Sequence, residues 1–488
     1  MALKRYALRL SSASLSSLGE FVLRFARTVA LSHLLSPHDL GAAVALASIL
    51  VSCEMITDIG LEKFVMVSRT EARAQVVAAA WQMAVGRAAI LALLIVLFAP
   101  LLARAFGAGE ERVLVSWLAL VPFITSFRSW RVVQMQQDYR YGPEAVMNIG
   151  SRLAGLLVLL PACALVRDAR LMLISLLAEA VVAVVLSHLL AGPTRVARVD
   201  PAVRREAMRF GLPLMVNGVG LATLKQMDQV IVSNMFGLVT LAEYSLALNL
   251  AIIPASVLQR IGGKLAAPFL LRSGHNGAVS PEASLIVVLA TMIMAALVAV
   301  PVGLLLDLLT PVFYGPHYQV STTFAALAML VSFVRFSRGG PNVILLQHSQ
   351  TARLTSGNLI AGVGLLIGLL LALVFRSLDS VLIGLLTGDL LSFLLLSFLL
   401  GRYLRIDAVL RHGAVLCAAV TLAALVLWLD ADPGWGARGL ALVASMLVIG
   451  IDAVVIHRRI VLPFAGHRGR LTMQVAPPMQ AAPAGPGD

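Results

Sequence analysis

The chain has 488 residues, of which 59% are hydrophobic and only 13% are charged, and its mean hydropathy is +0.91. Soluble domains carry about 25% charged residues, so this composition excludes a soluble globular protein and indicates an integral membrane protein. A net charge of +13 is typical of a membrane protein whose cytoplasmic loops are rich in Lys and Arg, so it does not indicate a nucleic acid partner. The three cysteines, Cys53, Cys163 and Cys417, lie in apolar stretches and form no disulfide or metal-binding pattern.

Apolar stretches of about 20 residues are long enough to cross a ~30 Å hydrocarbon core. They predict fourteen transmembrane helices, called spans 1 to 14 below. No signal peptide is predicted ahead of span 1, because no cleavage site follows a short apolar core. The spans are predicted at 12–35, 39–60, 75–103, 112–135, 144–166, 170–191, 209–236, 240–262, 283–308, 319–338, 354–375, 379–401, 413–430 and 437–457.

This arrangement predicts an all-α membrane protein with two six-helix lobes around a central cavity. The N-lobe covers 1–191, a basic cytoplasmic linker covers 192–208, and the C-lobe covers 209–401. Spans 13 and 14 occupy 402–457. The tail over 458–488 begins basic and ends in low-complexity sequence, which is typical of disorder.

The basic residues fix the predicted orientation. With both termini placed in the cytoplasm, 27 of the 38 Lys and Arg residues fall on the cytoplasmic side and 6 on the opposite side. The other five lie within spans. Cytoplasmic loops of membrane proteins carry this excess of positive charge, so the bias supports both the count of spans and the orientation.

An internal repeat relates the two predicted lobes. At a constant offset of 201, residues 24–47 align with residues 225–248, so that Arg24 falls on Lys225 and Arg27 on Asp228. The two copies are separated by six spans, an even number, so both lobes have the same orientation in the membrane. Transporters with parallel repeats bind substrate at the interface between the two halves.

Two stretches resemble a known family. Residues 35–65 resemble the first two spans of bacterial polysaccharide and O-antigen flippases, and residues 210–270 resemble their spans 7 and 8, including Gly211-Leu-Pro213 and Tyr244-Ser-Leu-Ala. Those flippases belong to the multidrug/oligosaccharidyl-lipid/polysaccharide exporter superfamily. The resemblance implies translocation of a polyprenyl-pyrophosphate-linked oligosaccharide by alternating access in the bacterial inner membrane, for polysaccharide export.

Span 1 carries Glu20, Arg24 and Arg27 on one side of a helix, although a charge in hydrocarbon is unfavourable by roughly 2.5–3.5 kcal/mol. One interpretation is a Glu20–Arg24 ion pair, with Arg27 reaching another helix. The other is that both arginines line a water-filled cavity and bind a phosphate, whose oxygens match the guanidinium fork. Lys225 then lies opposite in the C-lobe, although a structural pair with Asp228 is an alternative.

Other charges within or beside the spans are further candidates. Glu54 and Asp58, at the end of span 2, could pair with Arg24 or Arg27, or bind a coupling cation. Glu179 and Asp389 are lone acids in spans 6 and 12, for which a buried partner is favoured over the alternative of proton coupling. The remaining candidates are cations for a substrate site, which could equally be structural or interfacial: Arg87, Arg152 and Arg260.

Three classes of function compete. A lipid-linked oligosaccharide flippase, or the related peptidoglycan-precursor flippase, requires a basic cavity. A multidrug or cation antiporter of the same superfamily favours an acidic or aromatic one, which the cations of spans 1 and 7 oppose. An enzyme is disfavoured by the short loops and the lack of a catalytic motif, so no cofactor or metal is expected. The expected partners are the lipid-linked glycan, membrane lipid, and a polysaccharide polymerase with its export machinery, and no nucleic acid.

Overall fold

A computed structural model describes residues 2–68, 73–138, 140–194, 199–273, 280–348, 350–401, 405–430 and 433–464. Across these ranges the chain is helical and forms no strand, which confirms the predicted all-α fold class. A short 3₁₀-helix at Gly109–Glu111 and a π-helix at His457–Val461 supplement the α-helices.

The α-helices are α1 (Ala2–Leu34), α2 (Pro37–Ile56), α3 (Leu61–Val67), α4 (Arg73–Ala105), α5 (Arg112–Leu118), α6 (Leu120–Ser126), α7 (Arg131–Gln137), α8 (Gly142–Leu157), α9 (Leu159–Ala162), α10 (Arg170–Ala191), α11 (Pro201–Ser273), α12 (Pro281–Leu304), α13 (Leu306–Tyr314), α14 (Thr322–Ser337), α15 (Gly339–Gln347), α16 (Thr351–Phe375), α17 (Leu378–Leu399), α18 (Ile406–Leu429) and α19 (Trp435–Ile456).

Ten helices in the described ranges are long and apolar enough to cross a membrane, or up to eleven if the helices over Gly109–Ser126 and Arg131–Gln137 are counted as one bent span. The difference from fourteen has identifiable sources. Spans 7 and 8 are counted together within α11, span 1 carries charges, and span 10 corresponds to α14, which has only 16 residues. The count of fourteen therefore stays a prediction.

Local sequence explains where several helices begin and turn. Ser36 caps α2, because its hydroxyl oxygen accepts a hydrogen bond from the Asp39 amide at 3.2 Å, and Pro37 occupies the first turn, where proline is tolerated. Ser321 caps α14 in the same way. Gly237 breaks α11 with φ 87° and ψ 175°, a conformation open to glycine. The break separates the two predicted spans of this long helix.

Helices α2 and α11, which belong to the two predicted lobes, pack closely against each other. Gly41 lies against the carbonyl group of Leu238, and Gly218 lies against the carbonyl oxygen of Met55. A Cβ atom at either glycine would overlap these groups, so the absence of a side chain sets the distance between the helices. Membrane helices commonly use small residues in this way.

A second contact between the lobes joins α1 to α13. The ring of Phe25 lies edge-on to Phe313 and Tyr314, with centroids 5.4 and 6.0 Å apart. A ring nitrogen of His33 lies 3.0 Å from the carbonyl oxygen of Phe313. One side of span 1 therefore faces the C-lobe.

The last two helices form a hairpin outside the C-lobe. Helices α18 and α19 pack against each other, and both pack against α12. A buried contact fixes this hairpin, because Arg438 at the start of α19 binds both carboxylate oxygens of Asp307 at 2.7 and 2.6 Å. The same side chain donates hydrogen bonds to the carbonyl oxygens of Leu304 and Pro433.

Candidate functional site

A charged cluster ties α1 to α8 and α10 inside the N-lobe. Arg27 donates a hydrogen bond to Glu179 at 2.8 Å, and Arg152 lies 3.4 Å from the other oxygen of the same carboxylate. Glu20 accepts a hydrogen bond from Asn148 at 3.0 Å and lies 4.0 Å from Arg152. Glu20 is thus tied to span 5, which corrects the interpretation in which its ion-pair partner is Arg24. Glu179 has the buried partners that the sequence predicts.

Arg24 is placed differently from Arg27. Its side chain is exposed, and its guanidinium carbon lies 5.9 Å from the ring centroid of Phe21, which is within cation–π distance. At 100° per residue along a helix, Arg24 lies about 50° from the side that carries Glu20 and Arg27, and about 100° from Phe25. Arg24 therefore lies between the side of α1 that enters the N-lobe and the side that faces the C-lobe.

Lys225 and Asp228 lie on α11 in different surroundings. Lys225 is exposed, and no hydrogen bond or ion pair of its side chain is found among the described residues. Asp228 is buried and accepts a hydrogen bond from the hydroxyl group of Tyr244 at 2.8 Å. The alternative of a Lys225–Asp228 pair is therefore wrong in this conformation, because Tyr244 occupies the carboxylate.

Glu54, Asp58 and Arg87 meet at a cavity of about 410 Å³, called the α2–α4 cavity below. Arg87 donates a hydrogen bond to the carbonyl oxygen of Thr57 at 3.2 Å and lies 3.8 Å from Asp58. The expected partners Arg24 and Arg27 are not among the lining residues. These are Val51, Glu54, Met55, Asp58, Gly60, Leu61, Glu62, Lys63, Ala84, Arg87, Pro122, Thr125, Ser126, Arg128 and Trp130. The side chain of Arg260, the last candidate cation, lies outside the described part of the chain.

Sequence reasoning missed an arginine cluster in the C-lobe. Asp389 on α17 accepts a hydrogen bond from Arg335 at 2.9 Å and another from Arg338, which also donates to Asn358 at 3.1 Å. Arg338 lies at the break between α14 and α15, where its side chain is 11% exposed. Asp389 thus has the buried partners that its isolation in span 12 predicts.

A second constant offset, 210, could have found this cluster. It places Arg128 on Arg338, Asn148 on Asn358 and Glu179 on Asp389. Arg128 and Arg338 both lie at a helix break, between α6 and α7 in the N-lobe and between α14 and α15 in the C-lobe. The repeat of spans 1–2 in spans 7–8 has an offset of 201, so a search at one offset cannot detect both.

No group of three His, Cys, Asp or Glu residues that could hold a metal ion is found among the described residues.

A model for a family described as "Polysaccharide biosynthesis protein" matches residues 30–323, more than half of the chain. This chain belongs to that polysaccharide biosynthesis protein family. A comparison with curated proteins finds no significant match.

Solved structures show which fold this family member has. The lipid II flippase MurJ, in an inward closed conformation, aligns with a TM-score of 0.64 and 12% identity, over 92% of this chain and 99% of MurJ. An inward-facing multidrug resistance MATE transporter of the MOP superfamily aligns with a TM-score of 0.55 and 15% identity, over 80% of this chain and 96% of the transporter. A eukaryotic MATE transporter aligns with a TM-score of 0.53 and 13% identity, over 87% of this chain and 100% of that transporter. The fold is therefore that of multi-pass membrane transporters, as the sequence resemblance implies.

The family match includes most of the candidate residues. It spans the α2–α4 cavity, Arg152, Lys225 and Asp228, but it begins at residue 30, after Glu20, Arg24 and Arg27. The family match therefore does not bear on the charges of span 1, and their candidacy as site residues rests on their positions in the structure of this polysaccharide biosynthesis protein.

Proposed function

We propose that this protein is a flippase that moves a polyprenyl-pyrophosphate-linked oligosaccharide from the cytoplasmic to the outer leaflet of the bacterial inner membrane. Membership of the polysaccharide biosynthesis protein family and a transporter fold support this proposal. The glycan and pyrophosphate would cross between the two lobes while the lipid tail stays in the bilayer. A polymerase and export machinery would then use the translocated glycan, and the flippase itself would catalyse no reaction.

The observation that carries the proposal is the exposure of Arg24 and Lys225. These cations occupy equivalent positions in the 201-residue repeat, one in each lobe. Arg27 and Arg152 are largely neutralised by Glu179 and Glu20, so we assign them to positioning span 1 and assign phosphate binding to the exposed Arg24. A guanidinium group can bind phosphate oxygens in a bidentate way. The same two cations would repel a cationic drug, which argues against a multidrug or cation antiporter.

We also propose that both termini are cytoplasmic, as the distribution of basic residues predicts. In this orientation α3 and the α2–α4 cavity lie at the cytoplasmic ends of the spans. The lipid-linked substrate is synthesised in the cytoplasmic leaflet, so its headgroup enters from this side.

Deletion of the gene, followed by analysis of the lipid fraction, tests the proposal. We expect accumulation of one polyprenyl-pyrophosphate-linked glycan on the cytoplasmic side, and loss of that accumulation when the wild-type gene is restored. The purified protein in liposomes should then expose the same glycan to an enzyme or lectin added outside. Accumulation of the peptidoglycan precursor would support the alternative flippase. Unchanged lipids together with increased sensitivity to cationic drugs would contradict both.

A further inference from the structure

The α2–α4 cavity lies apart from the exposed cations of the proposed translocation path. The end of α2, the short helix α3, α4 and α6 surround it, and the break that follows α6 contributes Arg128 and Trp130. Neither Arg24 nor Lys225 is among its lining residues. The cavity is therefore a concave site within the N-lobe that does not include these two cations.

Charges of both signs line this cavity in equal number. Three carboxylates, from Glu54, Asp58 and Glu62, accompany three cations, Lys63, Arg87 and Arg128. Arg128 donates a hydrogen bond to Glu62, and Arg87 lies 3.8 Å from Asp58. A bound phosphate would be repelled by the carboxylates, and a bound metal ion would be repelled by the guanidinium groups. A balanced lining of donors and acceptors is instead suited to a neutral molecule with many hydroxyl groups.

Glu54 provides an acceptor that the protein does not occupy. Within the described part of the chain its carboxylate has no hydrogen bond or ion pair, and its oxygens are not among the fully buried atoms. A carboxylate in this position can accept hydrogen bonds from ligand hydroxyl groups, and such charge-assisted bonds are about twice as strong as neutral ones.

The rest of the lining matches the apolar faces of a sugar ring. Val51, Met55, Leu61, Ala84 and Pro122 contribute apolar surface to the lining. The guanidinium group of Arg128 lies 5.5 Å from the ring centroid of Trp130, and this contact helps to position both lining side chains. The volume of about 410 Å³ is at the lower end of the range for small-molecule sites, roughly 300–1,000 Å³. It suits one or two sugar units and not a whole oligosaccharide.

We propose that the α2–α4 cavity binds a neutral sugar unit of the glycan headgroup and thereby contributes to the choice of glycan. This inference rests on the proposed function. It assigns recognition of the sugar to Glu54, Arg87 and Arg128, and recognition of the pyrophosphate to Arg24 and Lys225. The two parts of the substrate are bound by two different sets of residues.

The test uses the glycan that accumulates in the deletion cells, released from its lipid and pyrophosphate by mild acid. Titration of this free glycan into the full-length protein in lipid nanodiscs, followed by calorimetry, measures sugar binding alone. We expect Glu54→Gln and Arg87→Gln to weaken binding about tenfold or more, because each removes one charge-assisted hydrogen bond. Glu110→Gln, an exposed carboxylate outside the cavity, serves as the matched control and should bind as the wild type does.

A second variant separates recognition from folding. Ala84→Leu fills the cavity without changing its charge, so it should also weaken binding of the free glycan while Arg24→Gln does not. Equal binding of free glycan by wild type, Glu54→Gln and Ala84→Leu would overturn the inference. So would failure of the free glycan to bind when the intact lipid-linked glycan does, and the proposed function would then stand. Absence of any accumulated lipid-linked glycan would overturn both.

Discussion

Arg27 on α1 and Glu179 on α10 form a largely buried ion pair, with Nη1 and Oε2 2.8 Å apart and the two side chains 14% and 20% exposed. The pair joins span 1 to span 6 across the interior of the N-lobe. An arginine in hydrocarbon is unfavourable by roughly 2.5–3.5 kcal/mol, and this partner offsets part of that cost. Arg27 is therefore held for the stability of the lobe, whereas its neighbour Arg24 is exposed.

The Arg27–Glu179 pair should be measurable as a coupling energy. Arg27→Ala removes a partner from a buried carboxylate, which in soluble proteins costs about 3–5 kcal/mol. We expect less here, because Arg152 stays 3.4 Å from Glu179. Thermal unfolding in detergent should show a lower midpoint for Arg27→Ala, and the double variant with Glu179→Gln should recover part of it. Arg112→Ala, at an exposed position, is the control, and additive effects of the two changes would contradict a direct pair.

Arg24 should behave in the opposite way. Arg24→Ala should abolish or cripple glycan export while the unfolding midpoint stays close to that of the wild type, because exposed side chains contribute little to stability. Arg24→Lys should retain part of the activity, since the charge remains but the bidentate fork is lost. Export is measured by the lipid-linked glycan that accumulates in cells. Normal export by Arg24→Ala, or a loss caused only by failure of the protein to accumulate, would make Arg24 structural.

The sequence predicts the membrane class, the family and the all-α fold because these depend on composition and on periodicity along the chain. It also singles out Glu20, Arg27, Arg152 and Glu179, since charges within apolar spans are visible without a structure. Their partners are not predictable in this way, because α1 is distant in sequence from α8 and α10, and the rotation of each helix is set by packing. Glu20 thus binds Asn148, which no charge-based search would select.

The missed arginines have a different cause. Arg128 and Arg338 lie near the predicted cytoplasmic ends of spans 4 and 10, where the excess of positive charge in cytoplasmic loops explains them fully. The structure shows a helix break at each position, and the break turns the side chain inward. In span 10 the sequence does signal the break, because Gly339-Gly340-Pro341 follows Arg338 directly, whereas residues 127–130 contain neither glycine nor proline.

Arg438 should be required for docking of the last two helices. It binds both carboxylate oxygens of Asp307 and is only 4% exposed. Arg438→Ala leaves Asp307 and the carbonyl oxygen of Leu304 without this donor, so the unfolding midpoint should fall strongly. Arg438→Lys should recover only part of the loss in unfolding midpoint, because lysine keeps the positive charge but its ammonium group cannot reproduce the bidentate contact. Limited proteolysis between α17 and α18 should increase in Arg438→Ala, and unchanged proteolysis would argue against a docking role.

Glu111, in the predicted loop between spans 3 and 4, should give the protein a pH-dependent stability. Partial burial, followed by the nearby carboxylates of Asp168 and Asp39, raises the pKa of Glu111. An acid whose pKa is raised by folding destabilises the folded state above that pKa, and the penalty disappears as the pH falls below the unfolded value of about 4.3. Glu111→Gln should therefore raise the unfolding midpoint slightly at pH 7 and not at pH 4. The difference should shrink in high salt, and an equal effect at both pH values would exclude this cause.

Gly218 should control how closely the two lobes approach. A side chain at this position would overlap the carbonyl oxygen of Met55, whereas nothing lies within 4 Å of a Cβ atom at Gly220 in the same helix. Gly218→Val should therefore force α11 away from α2, at a cost typical of overpacking, about 1–3 kcal/mol, and should reduce both the unfolding midpoint and glycan export. Gly220→Val changes helix propensity equally but should leave both properties near the wild-type level. Equal losses in the two variants would show that backbone propensity, and not the contact between the lobes, is responsible.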